Sequence, residues 1–469
     1  MLDILLINPN SSKNAYLAEG FVPPLGLCYI SAYLKQHGFV TRIVDANALR
    51  LEDQELLSLI EKEKPLAIGL SAITSSIVSA CELAHEIKKR FAEITIVLGG
   101  PHPTILAERT LAENGQFDII VSGEGEITMM NFLYALKEKK SLESVKGIVW
   151  RRAGKIVVNE SQPFIADLDS LPEPDRTDLP IGRYVPSVKW FNRTPFTTMM
   201  TSRGCPNNCI FCVSIYGHTV RLRSPQNVLA EIKNLISQYG IKEIMFYDDT
   251  FTLSKSRVHE LCDLLIESKL DLTWGCLSRV DRVDEELLRK MKKAGCHLMC
   301  YGVESGSEEM LAIIRKNINL KQVEEAFRLT KKVGIDCSAS FVFGVPGETK
   351  ETMQKTIDLA LKIDPLFAHF FRVVPLPGTE LFDVYLKQRQ SSLVNWSDFD
   401  ALGNGDNLIK LERVSEEDFS YYLRKSYRNF YLRPRKIIQI FFKMLSLHKI
   451  KGLLIASYFF IKFSFLKRK

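Results

Sequence analysis

The sequence predicts an α/β protein made of two successive parallel-sheet units and a helical, basic C-terminal extension, on three observations. Short apolar runs alternate with helical patterns over residues 1–145, the alternation restarts over 196–400, and strand signals stop after that. Apolar strands separated by helices need crossover connections, so each unit is read as a parallel sheet covered by helices. The 469 residues suit several domains, and 46% hydrophobic with 25% charged residues is the balance of a folded chain.

In the first unit, strand-like runs at 3–8, 41–44, 67–71, 95–98 and 118–121 enclose helical patterns such as 25–36, 79–91 and 126–137. This predicts a doubly wound sheet, whose ligands bind beyond the carboxyl ends of the strands. The loops there are Asn8-Pro9-Asn10, Ser71-Ala72-Ile73-Thr74, Gly99-Gly100-Pro101-His102-Pro103 and Gly123-Glu124-Gly125-Glu126. Their glycines allow backbone to approach a large flat or phosphorylated ligand, and Ser71 and Thr74 add small hydroxyls. Ordinary turn chemistry is the competing reading. Residues 146–195 are read as a linker: a β-hairpin around Ala153-Gly154, then the Pro-rich stretch Leu171-Pro172-Glu173-Pro174-Asp175.

In the second unit, strands are expected at 197–201, 243–247, 273–277, 298–303, 338–343 and 368–374, with helical patterns at 228–238, 256–267, 285–294, 321–333 and 351–361. Six βα units predict a partial barrel with its chemistry at the carboxyl ends of the strands. Directly after the first of these strands stands Thr201-Ser202-Arg203-Gly204-Cys205-Pro206-Asn207-Asn208-Cys209-Ile210-Phe211-Cys212, a C-x3-C-x2-C spacing. Thiolates ligate iron–sulfur clusters. Three of them bind three irons of a cubane and leave the fourth open, whereas structural zinc wants four ligands and no partner pair lies near. The other cysteines, Cys28, Cys81, Cys262, Cys276, Cys296, Cys300 and Cys337, are read as small core residues.

This segment, with Phe211 before the third cysteine, resembles the signature of the radical S-adenosylmethionine superfamily. The resemblance implies a [4Fe-4S] cluster on Cys205, Cys209 and Cys212, S-adenosylmethionine on its open iron, and reductive cleavage to a 5′-deoxyadenosyl radical. It implies cofactor contacts at Asp248, Arg279, Glu304 and Ser340, at or near successive strand ends, and an adenine-side motif at Gly344-Val345-Pro346-Gly347-Glu348-Thr349. Alone, each acidic residue reads equally as a solvated loop or helix cap. Phe21-Val22-Pro23-Pro24-Leu25-Gly26-Leu27, the Gly-Gly-Pro-His-Pro-Thr loop and the Gly-Glu-Gly-Glu loop, in this order before the cysteines, resemble the cobalamin-dependent class of that superfamily. The first unit is then a Rossmann-like cobalamin-binding domain, with Ser71, Thr74, Gly99, Gly100, His102, Gly123, Glu124 and Gly125 as cofactor contacts. No Asp-x-His-x-x-Gly occurs, which implies cobalamin bound without a histidine on cobalt. His102 is read as a turn-stabilising or cofactor-edge residue.

The class implies methyl transfer to an unactivated carbon of a small or lipid-like substrate. Alternatives are a radical cyclisation or rearrangement, since the motif order also resembles anaerobic magnesium-protoporphyrin ester cyclases, or a non-catalytic cobalamin sensor or carrier. A donor such as flavodoxin or ferredoxin would supply electrons. The net charge of +7 sits in the tail: from Phe419 onward there are thirteen Lys and Arg and, after Asp418, no acidic residue. The remaining 49 basic and 55 acidic groups argue against a nucleic-acid-binding body. Apolar residues beside Arg433, Arg435, Lys436 and the terminal Lys467-Arg468-Lys469 suit either peripheral contact with anionic lipid or a helical subdomain packed on the barrel. The start at Met1 lacks the basic, apolar pattern of a secretory leader, which predicts a cytoplasmic protein.

Overall fold

The computed structural model describes residues 2–10, 22–184, 192–390, 393–399 and 409–444. The first sheet contains β1 (Ile4–Asn8), β2 (Thr41–Asp45), β3 (Ala67–Ser71), β4 (Thr95–Gly99), β5 (Ile119–Val121), β6 (Ile148–Arg152) and β7 (Lys155–Val158). Their order is β2-β1-β3-β4-β5-β6-β7, parallel through β5 and antiparallel beyond it. The hairpin foreseen in the connecting segment is β6–β7, and it extends this sheet through β5. Alternate residues of β1 feed two cores: Leu5 and Ile7 join Ile68, Leu70, Leu83 and Ile87 on one face, and Ile4 and Leu6 join Leu27, Leu34, Phe132 and Leu133 on the other. That two-sided burial is why the strand reads as a continuous apolar run.

The Gly-Gly-Pro-His-Pro segment, expected as a loop, is helical from Pro101 to Ile105. Proline opens the helix without loss, because the first-turn N–H groups lack intrahelical acceptors in any case.

The second sheet is formed by β8 (Phe196–Met199), β11 (Glu243–Phe246), β12 (Thr273–Ser278), β13 (Cys296–Glu304), β14 (Asp336–Phe343) and β15 (Phe367–Arg372), with a ribbon, β9 (Ser202–Arg203) and β10 (Arg221–Leu222), above it. The order β15-β14-β13-β12-β11-β8 is parallel throughout and leaves β8 and β15 as edges, a partial barrel of six strands. The largest core fills it, from Phe246, Phe251 and Trp274 to Phe341 and Phe370. Helices begin where sequence caps them: Ser224 accepts from the Asn227 N–H ahead of Pro225–Tyr239, and Thr349 and Thr352 form a capping box on Lys350–Ile363.

Beyond the barrel, helix Glu416–Tyr431 covers the β15 edge. The Tyr427 hydroxyl donates to the Phe370 carbonyl at 3.0 Å and accepts from its N–H at 3.3 Å, and Tyr431 does the same for Ala368 at 2.8 and 3.0 Å. Helix Pro434–Met444 follows, fastened to the amino ends of β14 and β15: Lys436 reaches Asp364 and the Pro365 carbonyl, Lys443 reaches Asp336, and Ile440 packs on Leu366 and Phe367. The apolar and basic residues 445–469 lie outside the described residues.

Candidate active site

The strand order of the first sheet reverses between β1 and β3, and a cavity of about 250 Å³ opens there, at the carboxyl ends. Its wall includes Ser71, Gly99, Gly100, Gly123, Glu124 and Gly125 of the predicted loops, and six of its lining residues are glycines. Arg203, Ile215 and Tyr216 of the cysteine-bearing segment complete it. A broad surface poor in side chains, facing the cysteine segment, fits a large flat cofactor such as a corrin.

Thr74 and His102 are not part of that wall. His102 is buried, its Nδ1 3.3 Å from the Thr74 hydroxyl and its ring edge-on to Trp396 at 4.7 Å. Burial lowers its pKa to about 4, so the ring is neutral. Glu124 lines the cavity, yet its carboxylate is engaged: it accepts from Arg203 at 2.7 Å, from Arg221 at 2.9 Å and from the Ile165 N–H at 2.7 Å. Glu126, which sequence reasoning left without a role, accepts from Arg203 at 2.6 Å. Burial opposes the Arg203 charge, but Glu126, Tyr216 and Glu124 outweigh it and raise its pKa further.

Two residues beyond Arg203 comes Cys205. Gly204 between them has φ +95°, and a Cβ there would lie 2.5 Å from the Thr219 carbonyl, so the turn into the cysteine loop requires glycine. Cys205 and Cys209 are half-buried and Cys212 is exposed. Ile210 and Phe211 pack against the barrel core, which anchors the loop between the thiols. The Asn207 amide donates to the Cys205 sulfur at 3.3 Å, and the Cys209 thiol points to the Arg315 carbonyl at 3.8 Å.

Desolvation by the atoms packed around the loop raises the Cys212 thiol, with Cys209, Asp249 and Cys205 adding to the effect and Lys316 opposing it. Burial also raises Cys209, against Lys316 and Arg279. The thiols are thus near enough to feel one another's charge, beside two cations. Among the described residues no group of three or more His, Cys, Asp or Glu converges on a single metal-ion position. Ligands of three separate irons need no such shared point, and the donor set suits a cluster.

The other predicted contacts are largely held by their neighbours. Asp248 accepts from the Thr201 N–H at 2.6 Å, the Thr201 hydroxyl and the Ser202 N–H at 3.3 Å, so it clamps the chain where β8 leads into the cysteine loop. This clamp ends β8 at Met199, two residues before the expected limit. Arg279 donates to Asp281 at 3.0 Å and to the Lys316 carbonyl at 2.8 Å. Glu304, at φ +70°, pairs with Lys316 at 2.7 Å. Ser340 is half-buried and lies in register with Gly302 on β13 and His369 on β15.

Sequence reasoning missed Lys316. It is 7% exposed, pairs with Glu304 and acts on both Cys209 and Cys212. Its segment also takes a hydrogen bond from the cysteine loop, Ile210 N–H to the Ile314 carbonyl at 3.3 Å. No motif announces it; the only signal is a basic pair after a short helix.

Comparison with known proteins agrees with this architecture. The B12 binding domain model matches residues 15–133 and the Radical SAM superfamily model matches 199–360. An uncharacterized methyltransferase of Pyrococcus horikoshii is 34% identical over 446 residues, covering 94% of this chain and 95% of its own. The anaerobic magnesium-protoporphyrin IX monomethyl ester cyclase of Rubrivivax gelatinosus is 29% identical, covering 92% of this chain and 77% of its own. The structure of the cobalamin-dependent S-adenosylmethionine radical enzyme OxsB, with aqua-cobalamin and S-adenosylmethionine bound, shares the fold at a TM-score of 0.74 and 16% identity, over 99% of this chain and 74% of that one. With a first-sheet cavity facing a three-cysteine loop on a partial barrel, the chain belongs to the cobalamin-dependent radical S-adenosylmethionine methyltransferase family, whose cofactors are a [4Fe-4S] cluster, S-adenosylmethionine and cobalamin.

Proposed function

We propose that this chain methylates an unactivated carbon of a small or lipid-like substrate held between the two sheets. The observation that carries this reading is the shared cavity: loops after β3, β4 and β5 form one wall, and Arg203, Ile215 and Tyr216 of the cysteine segment form the other. When bound, cluster and S-adenosylmethionine supply a hydrogen-abstracting radical and cobalamin supplies the methyl group.

The chain's residues hold these groups. Cys205, Cys209 and Cys212 would hold the cluster as thiolates. Lys316 and Arg279 place positive charge beside Cys209, which works against the burial that raises its thiol. Glu304 at the end of β13, its loop partner Lys316, and Ser340 on the neighbouring β14 would present polar groups for the amino acid and ribose parts of S-adenosylmethionine. Asp248 keeps the cysteine loop in place through Thr201 and Ser202. Ser71, Gly99, Gly100, Gly123 and Gly125 offer backbone and one hydroxyl to the corrin.

Methylation is favoured over cyclisation by the methyltransferase relative, which is 34% identical over 94% of this chain, against 29% for the cyclase. The test is anaerobic turnover of the reconstituted full chain with reduced flavodoxin or ferredoxin and candidate apolar substrates. A product heavier by one CH₂ unit, with 5′-deoxyadenosine formed alongside, is expected. A product that has lost hydrogen without gaining CH₂ would sink the methylation reading.

The reading extends to the surface. Helix Pro434–Met444 exposes Ile437, Ile438, Phe441 and Phe442 beside Arg435 and Lys443, a composition that suits contact with anionic lipid. No helix among the described residues is long and apolar enough to cross a membrane.

A further inference from the structure

Two buried ion clusters join the first unit and its connection to the barrel. In one, Glu231 accepts from Arg176 at 2.9 Å and from Arg223 at 2.5 Å, and Arg223 also reaches the Tyr29 hydroxyl at 3.3 Å and the Met200 carbonyl at 3.0 Å. In the other, Arg203 and Arg221 of the ribbon grip Glu124, and Arg203 also grips Glu126; Arg203, Glu124 and Glu126 all line the cavity. The Arg203 guanidinium lies 4.9 Å from the Tyr29 ring and 5.4 Å from the Tyr216 ring, so it is held on its faces as well as its edges.

The ribbon cannot fix this geometry alone. It pairs only Arg203 with Arg221 and Ser202 with Leu222, and a two-residue ladder is too short to be rigid. The charged forks supply the missing constraint, since guanidinium–carboxylate bonds are directional and, once buried, lose heavily when one partner goes. Cys205 follows Arg203 across the single tight residue Gly204.

We propose that Arg203 is a positioning residue that ties the Gly123–Glu126 wall of the cobalamin cavity to the loop carrying Cys205, so that the two cofactor sites keep one relative geometry. This rests on the cofactor assignment of the family and not on the identity of the substrate.

The test uses the full chain, reconstituted with its cluster, and two readouts that need no substrate. Cobalamin affinity is followed by absorbance titration, and the electron paramagnetic resonance spectrum of the reduced cluster is recorded with and without cobalamin. In the parent, adding cobalamin is expected to alter the cluster spectrum. Arg203→Met should weaken cobalamin binding about tenfold or more and abolish that response, with Arg203→Lys in between. Glu243→Gln, at the amino end of β11, where the buried carboxylate accepts from the Asn192 and Arg193 N–H groups and lies 2.8 Å from His297, should lower Tm while leaving both readouts unchanged. Should Arg203→Met fail to fold, Glu126→Gln takes its place with the same expected direction. The proposal is overturned if the folded Arg203 or Glu126 variant matches the parent in both readouts, or if Glu243→Gln shifts them equally. Such a failure would leave the methylation reading intact, because neither readout involves a product.

Discussion

His102 and Glu348 carry opposite pH signatures. Burial lowers His102 to about 4, from an ordinary 6.5. The unfolded chain therefore binds a proton between those values that the folded chain refuses, and the stability it contributes is present above pH 6.5 and lost as pH falls through 4. Burial raises Glu348 to about 7 from 4.5, against the hydrogen bonds from Gly344 and Thr352. Its contribution is present below pH 4.5 and lost as pH rises through 7. Each is worth as much as about 3 kcal/mol. Thermal unfolding from pH 4 to 8 should show a smaller fall on the neutral side for Glu348→Gln and a smaller fall on the acid side for His102→Gln; slopes equal to the parent's would contradict the assignments. Gly302 makes a steric prediction at the same scale. A methyl there would lie within 2.8 Å of Lys316 Nζ and closer still to the Glu304 carboxylate. Gly302→Ala should separate that pair and weaken S-adenosylmethionine binding to the cluster-loaded protein by about tenfold, measured by calorimetric titration.

The open barrel gives helix Glu416–Tyr431 a definite task. An edge strand exposes unpaired N–H and C=O groups, and β15 has two such residues, Ala368 and Phe370, turned toward this helix. Tyr431 and Tyr427, four residues apart on one helical face, each use one hydroxyl as donor and acceptor to satisfy them. Tyr427→Phe combined with Tyr431→Phe keeps the rings and removes only these bonds. Denaturant unfolding should then show a loss of roughly 2–5 kcal/mol, because the strand's groups stay buried without partners. A loss below about 0.5 kcal/mol, the scale of an ordinary surface substitution, would mean that water replaces the hydroxyls.

For the whole molecule, the sites lie at opposite ends. The cysteine loop follows the carboxyl end of β8, whereas helix Pro434–Met444 sits at the amino ends of β14 and β15. Lipid contact through Ile437, Ile438, Phe441 and Phe442 would hold the barrel by its base and leave the cofactor end facing away, so it would localise the enzyme rather than feed its crevice. Cosedimentation of the full chain with vesicles containing anionic lipid should exceed that with neutral vesicles and fall with added salt. The double substitution Phe441→Glu and Phe442→Glu should abolish it. Equal binding of both vesicle types, or none, would dismiss the lipid reading in favour of a protein-covered face.

The sequence by itself determined the two-unit α/β architecture and all six barrel strands, and it singled out the candidate cluster ligands. Periodicity and ligand spacing are local properties, and C-x3-C-x2-C carries its chemistry within eight residues. It also placed Ser71, Gly99, Gly100, Gly123, Glu124 and Gly125 on one face, since parallel strands put their following loops at a common end. What only the tertiary structure decided is which polar groups meet. Glu124 and Glu126 were legible as a loop beside a cofactor, and only the docked ribbon shows Arg203 and Arg221 occupying them. Asp248 was legible as a strand-end acid, but its oxygens are taken by Thr201 and Ser202. Lys316 was silent, because its meaning comes from Glu304 twelve residues away and from a cysteine loop more than a hundred residues earlier. Long-range ion pairs leave no periodic mark in a chain; they exist only once burial has excluded the water that would otherwise compete for the same charges.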